Sequence, residues 1–179
     1  MGTYIAFLRA INVGKRRVKM DRLRGLFVEM GFAKVATFIA SGNVIFGAET
    51  AVSATLPHQI ETTLETGLGY WVDTFIRTPS ELQAVVDDQP FSPDQLTNEN
   101  HTIRVGFLAA SLDDDAQARL QKLTSNLDTF HVQGNELYWL CQNSRESAVS
   151  NAKIERAIKV PTTLRNIRTL ERLLAKVGR

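Results

Sequence analysis

Hydrophobic and polar positions change their spacing several times along the chain, and each change predicts an element. Residues 3–9 are a short apolar run with β-branched and aromatic members, which predicts a strand. Residues 10–19 are polar and basic and predict a loop. Met20, Leu23, Leu26, Phe27 and Met30 then recur three and four apart, so a helix spans about 20–30, with Asp21 in its first turn and Gly31 as its stop. Residues 35–40 and 44–46 alternate like strands around Ser41, Gly42 and Asn43, a tight turn of residues that tolerate unusual backbone angles. A weaker amphipathic stretch, 52–66, precedes a strand expected over 70–77. The order is βαββαβ.

The second part opens with Thr78, Pro79, Ser80 and Glu81, a capping box with proline at the first helical position, so a short linking helix begins there. Residues 87–100 contain Pro90, Pro93, Asn98 and Asn100 without periodicity and read as a linker. A strand follows over 101–110. Ser111 and Asp113 to Asp115 supply N-cap chemistry for a helix presenting Ala116, Leu120 and Leu123. Phe130 and Val132, a turn at Gly134 and Asn135, and then Leu137, Trp139 and Cys141 predict a second hairpin. Helices are expected over 151–159 and 163–177. The expected fold class is α+β: two ferredoxin-like split βαβ halves with antiparallel or mixed sheets, the second lacking a final strand, closed by C-terminal helices. The expected domains are 1–88 for the first half with its linking helix, 89–100 for the linker and 101–179 for the second half.

Composition narrows the class. The 179 residues are 44% hydrophobic and 22% charged, which fits a globular protein with a real core. The single Cys141 excludes an intrachain disulfide framework and a multi-cysteine zinc site, and suits a reducing compartment. The apolar run 4–8 is far too short for a membrane span or a signal core. A cytoplasmic protein is expected, with no membrane partner. Charge is segregated although the total is only +2: residues 9–24 carry +6, residues 153–179 carry +6, and the middle carries −10. Such clusters attract phosphates or carboxylates if they meet in space, and otherwise serve as solvated faces.

Two places could bind an anion. The loop Ile11, Asn12, Val13, Gly14, Lys15, Arg16 and Arg17 sets a glycine and three cations before a helix, without the upstream glycine of a Walker motif. In the last helix, Arg165, Arg168, Arg172, Lys176 and Arg179 recur on one face. Arg165 is expected in the first turn, where the helix dipole disfavours a cation and a negative partner would compensate. The remaining candidates are weak. His58, His101 and His131 lack metal-ligand spacing, Asp113 to Asp115 starts a helix, and Gly67 and Gly69 lack a dinucleotide fingerprint. Tyr4, Phe7, Tyr70, Trp71, Phe75, Tyr138 and Trp139 are first of all core candidates, with base stacking as the alternative. No cofactor and no metal is called for.

Several of these residues form a recognisable set. Leu8 to Gly14, Val18, Lys19, Met20 and Leu23, then Ser41 to Phe46, then Arg165, Asn166 and Thr169 resemble a bacterial family catalogued as domain of unknown function 1697, over nearly the whole chain. The family pattern runs close to L-R-G-I-N-V-G-G, S-G-N-V-V-F and R-N-W. This chain has Ala10, Lys15 and Ile167 where that pattern has Gly, Gly and Trp. The resemblance implies an α+β fold with ferredoxin-like halves and singles out Arg9, Asn12, Gly14, Ser41, Asn43, Arg165 and Asn166. Together with Lys15, their guanidinium, amide and hydroxyl groups suit an oxyanion, and no general base is among them. The expected function is binding of a phosphorylated small molecule or nucleotide in a basic polar pocket between the halves. Nucleic-acid binding through the basic segments and an enzyme using the cations for electrostatic stabilisation are the alternatives, and the oligomeric state stays open.

Overall fold

The computed structural model describes residues 1–49 and 54–178. The first half of the chain forms β1 (Gly2–Leu8), α1 (Met20–Glu29), β2 (Ala33–Phe38), β3 (Asn43–Ala48), α2 (Leu56–Leu68) and β4 (Thr74–Arg77). Two helices follow, α3 (Pro79–Asp87) and α4 (Pro93–Thr97). The rest comprises β5 (Thr102–Leu108), α5 (Asp114–Gln121), β6 (Asp128–Gln133), β7 (Glu136–Cys141), α6 (Asn151–Ile158), β8 (Thr162–Asn166) and α7 (Ile167–Val177). One sheet has the order β2-β3-β1-β4 and the other β6-β7-β5-β8, with every pairing antiparallel. The chain thus runs the split βαβ arrangement twice. It divides into two compact units, Met1–Gln83 with Leu173–Arg179, and Ala84–Arg172.

Each sheet takes its helices on one face. In the first unit Tyr4, Ala6 and Leu8 alternate toward Leu23, Leu26 and Phe27 of α1 and Ile60 and Leu64 of α2. Phe46 is fully buried there, with ring centroids 4.6 Å from Phe32, 5.6 Å from Phe27 and 5.8 Å from Tyr4. Each such aromatic pair contributes about 0.5–1.5 kcal/mol beyond burial. Helix α2 can approach α1 because position 67 is glycine: a Cβ there would sit 2.5 Å from Leu26 Cδ2. In the second unit Leu137, Trp139 and Cys141 face Ala116 and Leu120 of α5 and Ile154 and Ile158 of α6.

The structure corrects three expectations. The second half does have its final strand: residues 162–166 form β8 against β5, from Thr162 opposite Leu108 to Asn166 opposite Arg104. The helical spacing of Leu164, Ile167 and Leu170 runs unbroken across the strand–helix junction, so the period alone started the helix too early. The β-branched pair Thr162 and Thr163 favours the strand, and Thr162 Oγ1 fixes it by donating to Phe107 O at 2.9 Å. The expected linker 89–100 contains α4, opened by a capping box in which Ser92 and Gln95 bond reciprocally. The expected strand 70–77 is paired only from Thr74, because β1 ends at Leu8, its partner there. Residues 52 and 53 of the amphipathic stretch 52–66 lie outside the described residues, as does Arg179.

Gly42 sits at φ +78, where an added Cβ would also lie 2.8 Å from Ile11 Cγ1. Both strain and overlap oppose a side chain. Gly42→Ala is expected to lower unfolding free energy by about 2–3 kcal/mol in a denaturant titration.

Candidate functional site

The antiparallel register places the end of β1, the end of β2 and the starts of β3 and β4 at one end of the first sheet, with Phe7 opposite Asn43, Phe38 opposite Asn43 and Leu8 opposite Thr74. Three connections therefore meet there: the β1–α1 loop, the β2–β3 turn and the α2–β4 loop. Backbone bonds extend the sheet into them, with Leu8 N–H donating to Gly42 O at 2.8 Å and Arg9 N–H to Asp73 O at 2.9 Å. Six of the expected site residues, Arg9, Asn12, Gly14, Lys15, Ser41 and Asn43, belong to this end of the first unit. Arg165 and Asn166 belong to the second unit.

These side chains divide by what they touch. Arg9 Nη1 donates to Asp73 Oδ2 at 3.1 Å, in an ion pair that is partly exposed. Asn12 takes φ +56, donates from Nδ2 to Ala40 O at 3.0 Å and accepts from Val18 N–H at 2.8 Å. Asn43 is fully buried and donates to Phe38 O and Ser41 Oγ, both at 3.0 Å. Arg9 and Asn12 thus hold neighbouring connections together, and Asn43 with Ser41 braces the β2–β3 turn. The cations behave otherwise. Lys15 is exposed, Arg16 lays its guanidinium 4.3 Å from the Tyr70 ring centroid, and Arg17 bonds to the backbone carbonyls of Gly14 and Arg16. Lys19 occupies the N-cap of α1 without a side-chain cap, so the helix presents its first N–H groups beside them. Among the described residues none of Lys15, Arg16, Arg17 and Lys19 pairs with a carboxylate; the ion pairs of the first unit include Arg9–Asp73, Arg22–Glu29, Arg24–Asp21 and His58–Glu61.

The second unit carries the same scaffold without this chemistry. Leu108 N–H donates to Asn135 O at 2.9 Å and Ala109 N–H to Pro161 O at 3.1 Å, matching the bonds of Leu8 and Arg9. The β5–α5 loop needs only the five residues 109–113, and Asp113 caps α5 by accepting from Ala116 N–H at 2.7 Å. The β1–α1 loop has eleven residues, 9–19.

Arg165 lies in β8, not in the first turn of a helix. It is 6% exposed and donates to Thr163 Oγ1 at 2.7 Å and Leu164 O at 2.9 Å, and burial pushes its pKa down to about 10, leaving it charged at neutral pH. Asn166 opens α7 by accepting from Arg168 N–H at 2.9 Å. With Asn98, His101, Thr102 and Arg168 it lines a cavity of about 130 Å³ that also includes the acidic Glu99.

Other candidates settle into structural roles. Burial, followed by the charge of Asp128, pushes the Cys141 thiol up, which disfavours the thiolate. Tyr4, Phe7, Phe75, Tyr138 and Trp139 are buried, whereas Trp71 is 38% exposed. Trp71 thus departs from the core expectation, and it precedes Thr74, where the paired strand begins. Glu61, which accepts from Thr74 N–H at 2.8 Å, has its pKa raised mainly by burial. Among the described residues no cluster of His, Cys, Asp and Glu could hold a metal ion, and no helix is long and apolar enough to cross a membrane.

A family model described as a protein of unknown function (DUF1697) matches residues 1–138. The structure of conserved bacterial protein SP0830 from Streptococcus pneumoniae is similar to this chain at 24% identity and a TM-score of 0.78, covering 100% of this chain and 99% of that one. That likeness concerns the fold. No curated protein matches.

Ala10 stands where the family pattern has glycine, and its φ is +58. A left-handed backbone costs an alanine about 1–2 kcal/mol, partly offset by the greater freedom that glycine has when unfolded. Ala10→Gly is expected to raise unfolding free energy by about 0.5–1 kcal/mol, measured against the parent in the same denaturant.

Proposed function

The chain belongs to the family of unknown function DUF1697, and from its geometry we propose that it binds a phosphorylated small molecule or nucleotide, holding the phosphate with the β1–α1 loop of the first unit. One observation carries this reading. The same strand–helix scaffold occurs twice, and only the first copy has a longer loop holding Lys15, Arg16, Arg17 and Lys19 at an uncapped helix start without carboxylate partners among the described residues. The fold does not require that loop, and loops on rigid scaffolds are where binding groups sit.

The positioning residues make the loop suitable for the task. Asn12 ties it to the β2–β3 turn and Arg9 ties it to Asp73, so the cations are spaced before a ligand arrives. A phosphate dianion there would collect charge-assisted bonds from two or three side chains and from the N–H groups of α1. Asp21, Asp73 and Glu61 are the nearby acids; Asp73 is paired with Arg9, Asp21 lies 3.9 Å from Arg24, and Glu61 lies 3.7 Å from His58 and accepts from Thr74 N–H. Phosphate capture at this loop needs neither Arg165 nor Asn166.

Calorimetric titration with inorganic pyrophosphate and with ribose 5-phosphate at low salt tests the reading. Binding is expected to weaken as salt rises. The combined replacement Lys15→Ala, Arg16→Ala and Arg17→Ala is expected to weaken it by about tenfold or more while leaving the circular dichroism spectrum unchanged. An unchanged affinity in that variant, or no binding by the parent, contradicts it.

A further inference from the structure

We propose that the phosphorylated ligand is a nucleoside phosphate whose base stacks on Trp71, an inference that rests on the phosphate reading of the β1–α1 loop. Among the described residues Trp71 is the one aromatic side chain in the set of exposed large hydrophobics. An indole left 38% exposed is a surface that solvent would rather not cover, and it is held in a fixed attitude. Its Nε1–H donates to Asp73 Oδ1 at 3.2 Å, Asp73 Oδ2 accepts from Arg9 Nη1 at 3.1 Å, and Asp73 O accepts from Arg9 N–H at 2.9 Å. The His58 ring lies beside it at 5.8 Å, tilted 45°.

The second unit shows that the scaffold has no need of this chain of contacts. Its equivalent backbone bond joins Ala109 to Pro161, with no guanidinium and no carboxylate, and the residues before Pro161 are Lys159 and Val160. The exposed indole and the cationic loop are both additions of the first unit, and they adjoin: Arg16 covers the ring of Tyr70, the residue before Trp71. A flat aromatic surface next to cations that have no carboxylate partner among the described residues matches a ligand with a flat base at one end and phosphate at the other. An indole whose N–H is committed to a carboxylate offers its faces rather than its polar edge, which suits stacking better than anchoring at a lipid headgroup.

The protein contains two tryptophans, and Trp139 is only 4% exposed, so fluorescence reports chiefly on Trp71 when ligand is added. The four ribonucleoside 5′-monophosphates and ribose 5-phosphate are titrated into the parent, Trp71→Phe and Trp71→Ala. At least one nucleotide is expected to quench the parent's emission saturably and to bind about tenfold more tightly than ribose 5-phosphate. Trp71→Phe keeps most of that preference without the quench, and Trp71→Ala brings nucleotide affinity down to that of ribose 5-phosphate, whose own affinity does not change. Equal binding of nucleotides and ribose 5-phosphate by the parent overturns the stacking proposal and leaves the phosphate reading standing. If neither binds, both fall. Adenylate hexamers that bind more tightly than the monophosphate, with the same loss in Trp71→Ala, support the stacking and identify its source as a nucleic-acid strand. Association with phosphatidylserine vesicles in the absence of nucleotide binding overturns the proposal.

Discussion

The side chain of Asn12 bridges the long loop of the first unit at two points, donating to Ala40 O in the neighbouring turn and accepting from Val18 N–H near the start of α1. An asparagine suits that place because it tolerates φ +56 and has both a donor and an acceptor within reach of nearby backbone. Without the bridge, the residues between would have to be ordered when a ligand arrives, at about 1–2 kcal/mol of backbone entropy per residue. With it, Lys15, Arg16 and Arg17 project from a loop whose path is already set. The cost of gathering three like charges is met by local carbonyls and an aromatic face in place of acids, which keeps the cations available to an outside anion.

The duplicated scaffold separates what folding needs from what has been added. Leu8 and Leu108 end equivalent central strands, and each makes the same backbone bond to a hairpin turn. Around that shared frame the second unit uses a five-residue loop and an aspartate cap, the most economical solution for entering a helix. The first unit gives up the cap, lengthens the loop, accepts left-handed angles at Ala10, Asn12 and Ile39, and leaves an indole half in solvent. Ile39 is the most telling of these, since a β-branched residue at φ +50 is strained. Three of the five non-glycine residues with positive φ among the described residues stand at this one end of the first sheet, with Lys34 and Lys159 elsewhere, and that concentration fits a surface shaped for something other than stability.

Most of the fold can be read from the chain because most elements announce themselves locally. The spacing of Leu23, Leu26 and Phe27, the alternation of Leu137, Trp139 and Cys141 and the cap at Asp113 each specify an element without help from distant residues. Strand β8 is different. It is a strand because β5, more than fifty residues earlier, offers it an edge, and its one local signal, the β-branched pair Thr162 and Thr163, is outweighed by the helical spacing that runs through it. Helix α4 is too short to show a period and is legible only through Ser92 and Gln95. For the site, the resemblance to the family pattern pointed to Arg9, Asn12, Ser41 and Asn43, and their hydrogen bonds explain why those types stand there. Trp71 could not be separated from the core aromatics in the same way. Whether an aromatic is buried depends on where its strand stops pairing, and that point is set by the length of β1.

Backbone amide chemical-shift mapping of the full chain with a nucleoside monophosphate tests the central claim most directly, because it compares the two copies of the scaffold in one experiment. Concentration-dependent shifts are expected at residues 9–19, 40–42 and 70–73, with the equivalent residues 109–113, 134–135 and 159–161 unmoved. Shifts confined to the second set, or spread without preference over both, would contradict the assignment of binding to the loop end of the first unit.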